Sequence, residues 1–146
     1  MERPTKVFIV EDHPILCEMV ASMLSSDPSF EVVGTASGIR ETLDAIGTRG
    51  GTRGPDLLLI DLTLKDGSGI QLVRTLRDRG INARVLVLTG IRNRGVAAEA
   101  FSVGVVGYVL KEQSPADLRA AIDAVVGGGT YIAPSVATSP PASFAG

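Results

Sequence analysis

The chain has 146 residues, 45% of them apolar and 21% charged, a length and balance that fit one soluble globular domain and exclude general disorder. A formal charge of −2 leaves no basic footprint for gripping nucleic acid, and no Trp with only four Phe and two Tyr leaves no stacking platform for single strands. The single Cys17 cannot pair within the chain and reads as a small buried side chain on a helix, in a reducing cytoplasm. Met1 to Lys6 is too polar for a signal peptide, and no apolar run approaches the roughly 20 residues of a membrane span.

Along the chain two kinds of apolar segment alternate. Val7 to Val10 opens as a continuous apolar run, followed at once by Glu11 and Asp12. Leu16, Met19, Val20, Met23 and Leu24 then recur at helical spacing. Phe30 to Ala36 is less uniformly apolar and contains Gly34, which fits a strand at a sheet edge. Ile39, Leu43 and Ile46 form a second helical stripe, and TRGGTRG from Thr48 to Gly54 a surface loop. Leu57 to Ile60 is the next buried run and ends at Asp61. Ile70, Val73 and Leu76 mark a third helix. Val85 to Leu88 ends at Thr89, a weaker helix covers about Val96 to Val103, and Tyr108 to Leu110 ends at Lys111. The last helix has a clear start, with Ser114 as N-cap, Pro115 in its first turn and Asp117 after it. Leu118, Ala121, Ile122 and Val125 form its stripe, and three glycines from Gly127 stop it. Residues 1–129 are expected to form the domain, and 130–146, rich in Pro, Ser and Ala, a poorly ordered linker or tail.

Runs without polar alternation are strands buried on both faces, and strands joined by helical crossovers run parallel. The expected architecture is α/β: a three-layer, doubly wound, five-stranded parallel sheet with five helices. In such a sheet the carboxyl ends of the strands share one edge, where ligands bind. Glu11, Asp12, Asp61, Thr89 and Lys111 all follow strands and so converge there. Each has a blander reading when taken alone: Asp12 as a helix cap, Asp61 as the start of a turn, Lys111 as a solvated lysine, Thr89 as a strand-end hydroxyl. The joint placement favours a site. Three carboxylates crowded together call for a cation, and an all-oxygen set suits Mg²⁺. Lys111 adds a compact positive charge and Thr89 a donor, the parts needed to hold a transferring phosphoryl group. His13 reads as a surface or capping residue rather than a ligand.

The segments EDHP at Glu11, DLLLIDLTLKDGSG around Asp61, VLVLTG ending at Gly90 and GYVLK ending at Lys111 together resemble the receiver domain of bacterial two-component response regulators. The resemblance spans about residues 5 to 128, and the ending GYVLKEQSPADLRAAIDAVVGGGTYIAPSVA is similar to the NarL/FixJ (LuxR-type) subfamily. It implies a flavodoxin-like strand order 2-1-3-4-5. Asp61 would accept a phosphoryl group from a sensor histidine kinase. Glu11, Asp12, Asp61 and the Thr63 backbone carbonyl would hold Mg²⁺, Lys111 and Thr89 would bind the phosphoryl oxygens, and Tyr108 would turn inward in the switched state. The implied role is that of a phosphoacceptor switch in the cytoplasm, not a turnover enzyme, with a homodimer as a possible assembly. A phosphorylation-independent interaction module and a phosphatase with an aspartyl-phosphate intermediate are the competing functions.

Three features depart from the family pattern: Lys65 where proline is usual, a long glycine-rich loop at Gly47 to Gly54, and a small Gly90 after Thr89. The subfamily's helix-turn-helix output domain is not in this sequence, so this chain is not expected to bind DNA itself. The stretch Gly129 to Ile132 reads like the approach to such a domain.

Overall fold

The computed structural model describes residues 3–47 and 54–138. Eight strands and six helices occur among them. In chain order they are β1 (Thr5–Val10), α1 (Pro14–Ser25), β2 (Phe30–Ala36), α2 (Ile39–Ile46), β3 (Leu57–Ile60), β4 (Thr63–Leu64), β5 (Gly67–Ser68) and α3 (Gly69–Asp78). They continue as β6 (Arg84–Thr89), α4 (Arg94–Ser102), β7 (Gly107–Leu110), α5 (Pro115–Val126), β8 (Tyr131–Ile132) and α6 (Pro134–Ala137).

The main sheet has the order β2-β1-β3-β6-β7-β8, and every pairing in it is parallel. Its first five strands realise the expected 2-1-3-4-5 order, with Phe30–Ala36 at one edge. The side chains of β3 show why the apolar runs are uninterrupted. Leu57 and Leu59 enter one core with Val20 and Leu24 of α1 and Leu118, Ala121, Ile122 and Val125 of α5. Leu58 and Ile60 enter the other with Leu72, Val73 and Leu76 of α3 and Ala97 and Ala100 of α4. A strand covered on both faces has no solvent side on which to place a polar residue. All four β3 residues are at most 1% exposed, so each of these leucines contributes roughly 1.5–3 kcal/mol by leaving water.

The helix starts follow local chemistry in three cases. Ser68 accepts from the Ile70 amide, Asn93 from the Val96 amide and Ser114 from the Asp117 amide. Helix α2 is different, because its N-cap residue is Gly38, which has no side chain to offer. The cap comes from far along the chain: Asp66, between β4 and β5, accepts from the Ile39 amide at 2.7 Å and the Arg40 amide at 3.0 Å. These two bonds, the Arg40 one first, hold the Asp66 carboxyl below its ordinary range. A lowered carboxylate stabilises the fold above its unfolded-state pKa, and that contribution is lost as pH falls through the native value. Asp66→Ala is therefore expected to melt at a lower temperature at neutral pH. Thermal melts across a pH series should show the gap to wild type closing once the solution is more acidic than the ordinary aspartate range.

The end of the chain corrects the sequence reading. Residues 130–146 were expected to be a linker or tail, yet Tyr131–Ile132 adds a sixth strand beside β7 and Pro134–Ala137 a sixth helix. The Tyr131 amide donates to Val106 and the Ala133 amide to the Tyr108 carbonyl. Ala133 and Val136 are fully buried in the same core as Ala97, Ala100 and Tyr108. Two residues are too few to show a hydrophobic period, and the surrounding Pro, Ser and Ala masked them. Residues 139–146 and most of the glycine-rich loop, 48–53, lie outside the described residues. No described helix is long and apolar enough to cross a membrane.

Candidate functional site

Sheet register brings the polar residues together. Val10 pairs with Ile60, so Glu11 and Asp61 leave adjacent strands at the same level, and the Asp61 amide still donates to the Val10 carbonyl at 3.0 Å. Thr89 pairs with Leu110, which places Lys111 one step beyond it, with its amide on the Thr89 carbonyl at 2.8 Å. Glu11, Asp61 and Thr89 are among the few buried polar residues of the described chain.

Lys111 Nζ bridges the acids, at 2.8 Å from Asp61 Oδ2 and 3.1 Å from Glu11 Oε2. Burial pulls its ammonium down, but the hydrogen bonds to Asp61 and Glu11 and the charges of both outweigh it, so its pKa lies above the ordinary value. The other Asp61 oxygen, Oδ1, accepts from the Thr63 amide at 3.1 Å. Asp61 is thus fixed at both oxygens, in a side chain 2% exposed. Its neighbours are less satisfied: Glu11 Oε1 and Asp12 Oδ1 are buried without a hydrogen-bond partner. A buried orphan oxygen costs about 1–3 kcal/mol, more when charged, and native proteins tolerate this where a ligand supplies the partner.

The capping alternative for Asp12 does not hold. The N-cap of α1 is His13, with Pro14 next; its own side chain caps nothing, and its amide donates to Glu11 Oε2 at 3.0 Å, not to Asp12. His13, read as a surface or capping residue, is exposed but turns Nδ1 into the cluster, 2.9 Å from Glu11 Oε2 and 3.0 Å from Lys111 Nζ. Glu11, Asp12, His13 and Asp61 each offer a ligand atom, all within 4.8 Å of one another. The only sequence signal for His13 was its place directly after two acids.

Thr89 is fully buried, and its hydroxyl accepts from the Ile91 amide at 3.2 Å. The Ile91 carbonyl in turn accepts from the Tyr108 hydroxyl at 2.6 Å. Tyr108 is wholly inside, and burial pushes its phenol up to about 12. A Cβ at Gly90 would meet open space. Lys65 is exposed and acts on Glu41 and Asp66.

Residues 7–123 fit the family model described as the response regulator receiver domain. The chain belongs to that family. This receiver is 33% identical over 123 residues to the DNA-binding transcriptional activator DevR/DosR of Mycobacterium tuberculosis, covering 84% of this chain and 55% of that protein. It is 29% identical to the nitrate/nitrite response regulator protein NarL of Escherichia coli, covering 87% of this chain and 57% of that one. The receiver therefore spans little more than half the length of these curated relatives. A LuxR-family two-component response regulator from Aurantimonas sp. superposes with a TM-score of 0.81 at 33% identity, covering 92% of this chain and 93% of that one. The isolated REC domain of RcsB from Salmonella enterica, solved with the phosphomimetic BeF3⁻, gives 0.80 at 25% identity, covering 92% of this chain and 96% of that one. Two-component signal reception is thus the function class of this domain, and its homologues are transcriptional regulators.

Proposed function

We propose that Asp61 is the phosphoacceptor of this receiver, in a reaction that requires Mg²⁺. The supporting observation is the state of Asp61 itself: a buried carboxylate fixed by Lys111 and the Thr63 amide, beside two acids with unpartnered oxygens. A carboxylate oxygen attacks the phosphorus of a phosphohistidine on a sensor kinase. The P–N bond breaks, its electron pair leaves with the imidazole, and the product is an acyl phosphate. Lys111 follows the charge from carboxylate to phosphoryl oxygen, a short move for a flexible ammonium.

The donor chemistry fits a hard cation. Glu11, Asp12, Asp61 and the Thr63 backbone carbonyl would hold Mg²⁺, which when bound supplies positive charge to the phosphoryl oxygens. The added charge of about −1.5 to −2 offers the Thr89 hydroxyl a stronger partner than the Ile91 amide. Release of Ile91 then reaches Tyr108 through their hydrogen bond, and through the Tyr108 carbonyl reaches Ala133 before α6.

Cytoplasmic location, a histidine kinase partner and a possible homodimer belong to the same reading. So does a switch without multiple turnover. Any DNA contact would come from an output domain and not from this chain. The test is intact-mass analysis after incubation with acetyl phosphate, with Mg²⁺ or with chelator. One phosphoryl adduct is expected with Mg²⁺, cleaved by hydroxylamine and mapped to the peptide holding Asp61. An adduct on another residue, or one indifferent to the chelator, would overturn the assignment.

A further inference from the structure

The phosphoryl chemistry leaves the His13 imidazole without a task, although its ring nitrogen lies among the reacting groups. It occupies the N-cap position of α1 and caps nothing. Its Nδ1 is 2.9 Å from Glu11 Oε2, 3.4 Å from Asp12 Oδ1 and 3.0 Å from Lys111 Nζ. One ring nitrogen cannot satisfy all three. Carrying a proton, it donates to Glu11 and faces the ammonium proton to proton; bare, it accepts from Lys111 and turns a lone pair toward a carboxylate oxygen.

A divalent cation that displaces the Lys111 ammonium from the ring nitrogen resolves this conflict, because a lone-pair nitrogen and carboxylate oxygens all face it favourably. Glu11 Oε1, on a side chain 2% exposed, already lacks a partner. The four candidate ligand atoms lie within 4.8 Å of one another. Bonds of about 2.1 Å set ligand atoms about 3 Å apart when adjacent and about 4.2 Å apart when opposite. The His13 side chain is 67% exposed, so its ring can turn by that difference without disturbing the core.

We propose that His13 is a nitrogen ligand of the cation site and sets its metal preference, shifting it toward divalent ions that accept imidazole, such as Mn²⁺ or Co²⁺. The proposal rests on reading Glu11, Asp12 and Asp61 as that site. Imidazole suits transition ions, whereas Mg²⁺ favours oxygen and dehydrates reluctantly.

The full chain is titrated with Mg²⁺ and with Mn²⁺, and the bound Mn²⁺ is examined by electron spin-echo spectroscopy. Wild type should show nitrogen hyperfine modulation from a directly bound imidazole. His13→Ala should abolish the modulation and weaken Mn²⁺ by about tenfold while moving Mg²⁺ by less than about twofold. His13→Asn, which keeps a polar side chain able to cap the helix, should behave like His13→Ala. Modulation absent from wild type with Mn²⁺ bound overturns the proposal. So does an equal loss of both ions in His13→Ala, the mark of a purely electrostatic or structural role. If wild type binds neither ion, the cation site and this inference fall together. If Mg²⁺ binds and Asp61→Asn weakens it, the site stands whatever His13 does.

Discussion

Asp61→Asn is expected to lose all phosphoryl labelling from acetyl phosphate while melting no lower than wild type. The first half follows from chemistry, because an amide oxygen forms no acyl phosphate. The second follows from the charge balance. In the described structure three carboxylates, Glu11, Asp12 and Asp61, share the Lys111 ammonium and the exposed His13 ring. Asparagine keeps an oxygen for the Thr63 amide and removes one desolvated negative charge, while Lys111 keeps Glu11 as its partner. Removing one partner of a buried ion pair is destabilising when it strands the other charge, but here three carboxylates face one ammonium, and the loss of one acid leaves Lys111 paired with Glu11. A cation that binds only the native state stabilises it by mass action, so saturating Mg²⁺ should raise the wild-type melting point more than that of the variant. Melting curves with and without Mg²⁺, beside intact-mass spectra, read both halves. A variant several degrees less stable in the absence of metal would make Asp61 a structural residue first.

Gly69→Ala should damage stability and chemistry together, through space and not through backbone conformation. Gly69 opens α3, and its amide donates to the Leu62 carbonyl at 2.8 Å. A Cβ there would lie 2.3 Å from the Asp61 carbonyl oxygen and 3.0 Å from the Leu62 Cα. Both are backbone atoms, which cannot swing aside as a side-chain tip can, so the loop carrying Asp61 must move by about 1 Å. Overpacking of this kind costs about 1–3 kcal/mol. A misplacement of about 1 Å at a reacting group can cost around 10²-fold in rate. Denaturant unfolding and the initial rate of acetyl phosphate labelling test the two effects separately. A variant labelled at the wild-type rate would show that the loop relaxes without moving the carboxylate.

These two variants also show how unevenly the molecule can be read from its sequence. The residues at the carboxyl ends of the buried runs, Glu11, Asp61, Thr89 and Lys111, stood out because a strand covered on both faces excludes polar groups until it ends. Local pattern therefore located them, and parallel pairing brought them to one edge. The tightness around Gly69 carries no such signal: its near neighbour is the backbone of Asp61, and any sequence would present the same carbonyl. Asp66 stands in a run of turn formers, Asp66-Gly67-Ser68-Gly69, yet it caps α2 from 27 positions away, and nothing near Gly38 announces where the cap will come from.

By itself the sequence determined the alternation of buried strands and amphipathic helices, the strand order through its family resemblance, and the identity of the acid, hydroxyl and ammonium groups at the sheet edge. These follow from short-range periodicity and from the polar residues that interrupt it. The tertiary structure alone decided three further things. It placed Lys111 between Glu11 and Asp61, turned the His13 ring into the acidic cluster, and folded Tyr131 to Ala137 onto β7 and α4 as a sixth strand and helix. Each depends on contacts between groups distant in sequence or on the direction a side chain takes. A two-residue strand or an exposed imidazole has no period of its own, and only the surface it meets selects its conformation.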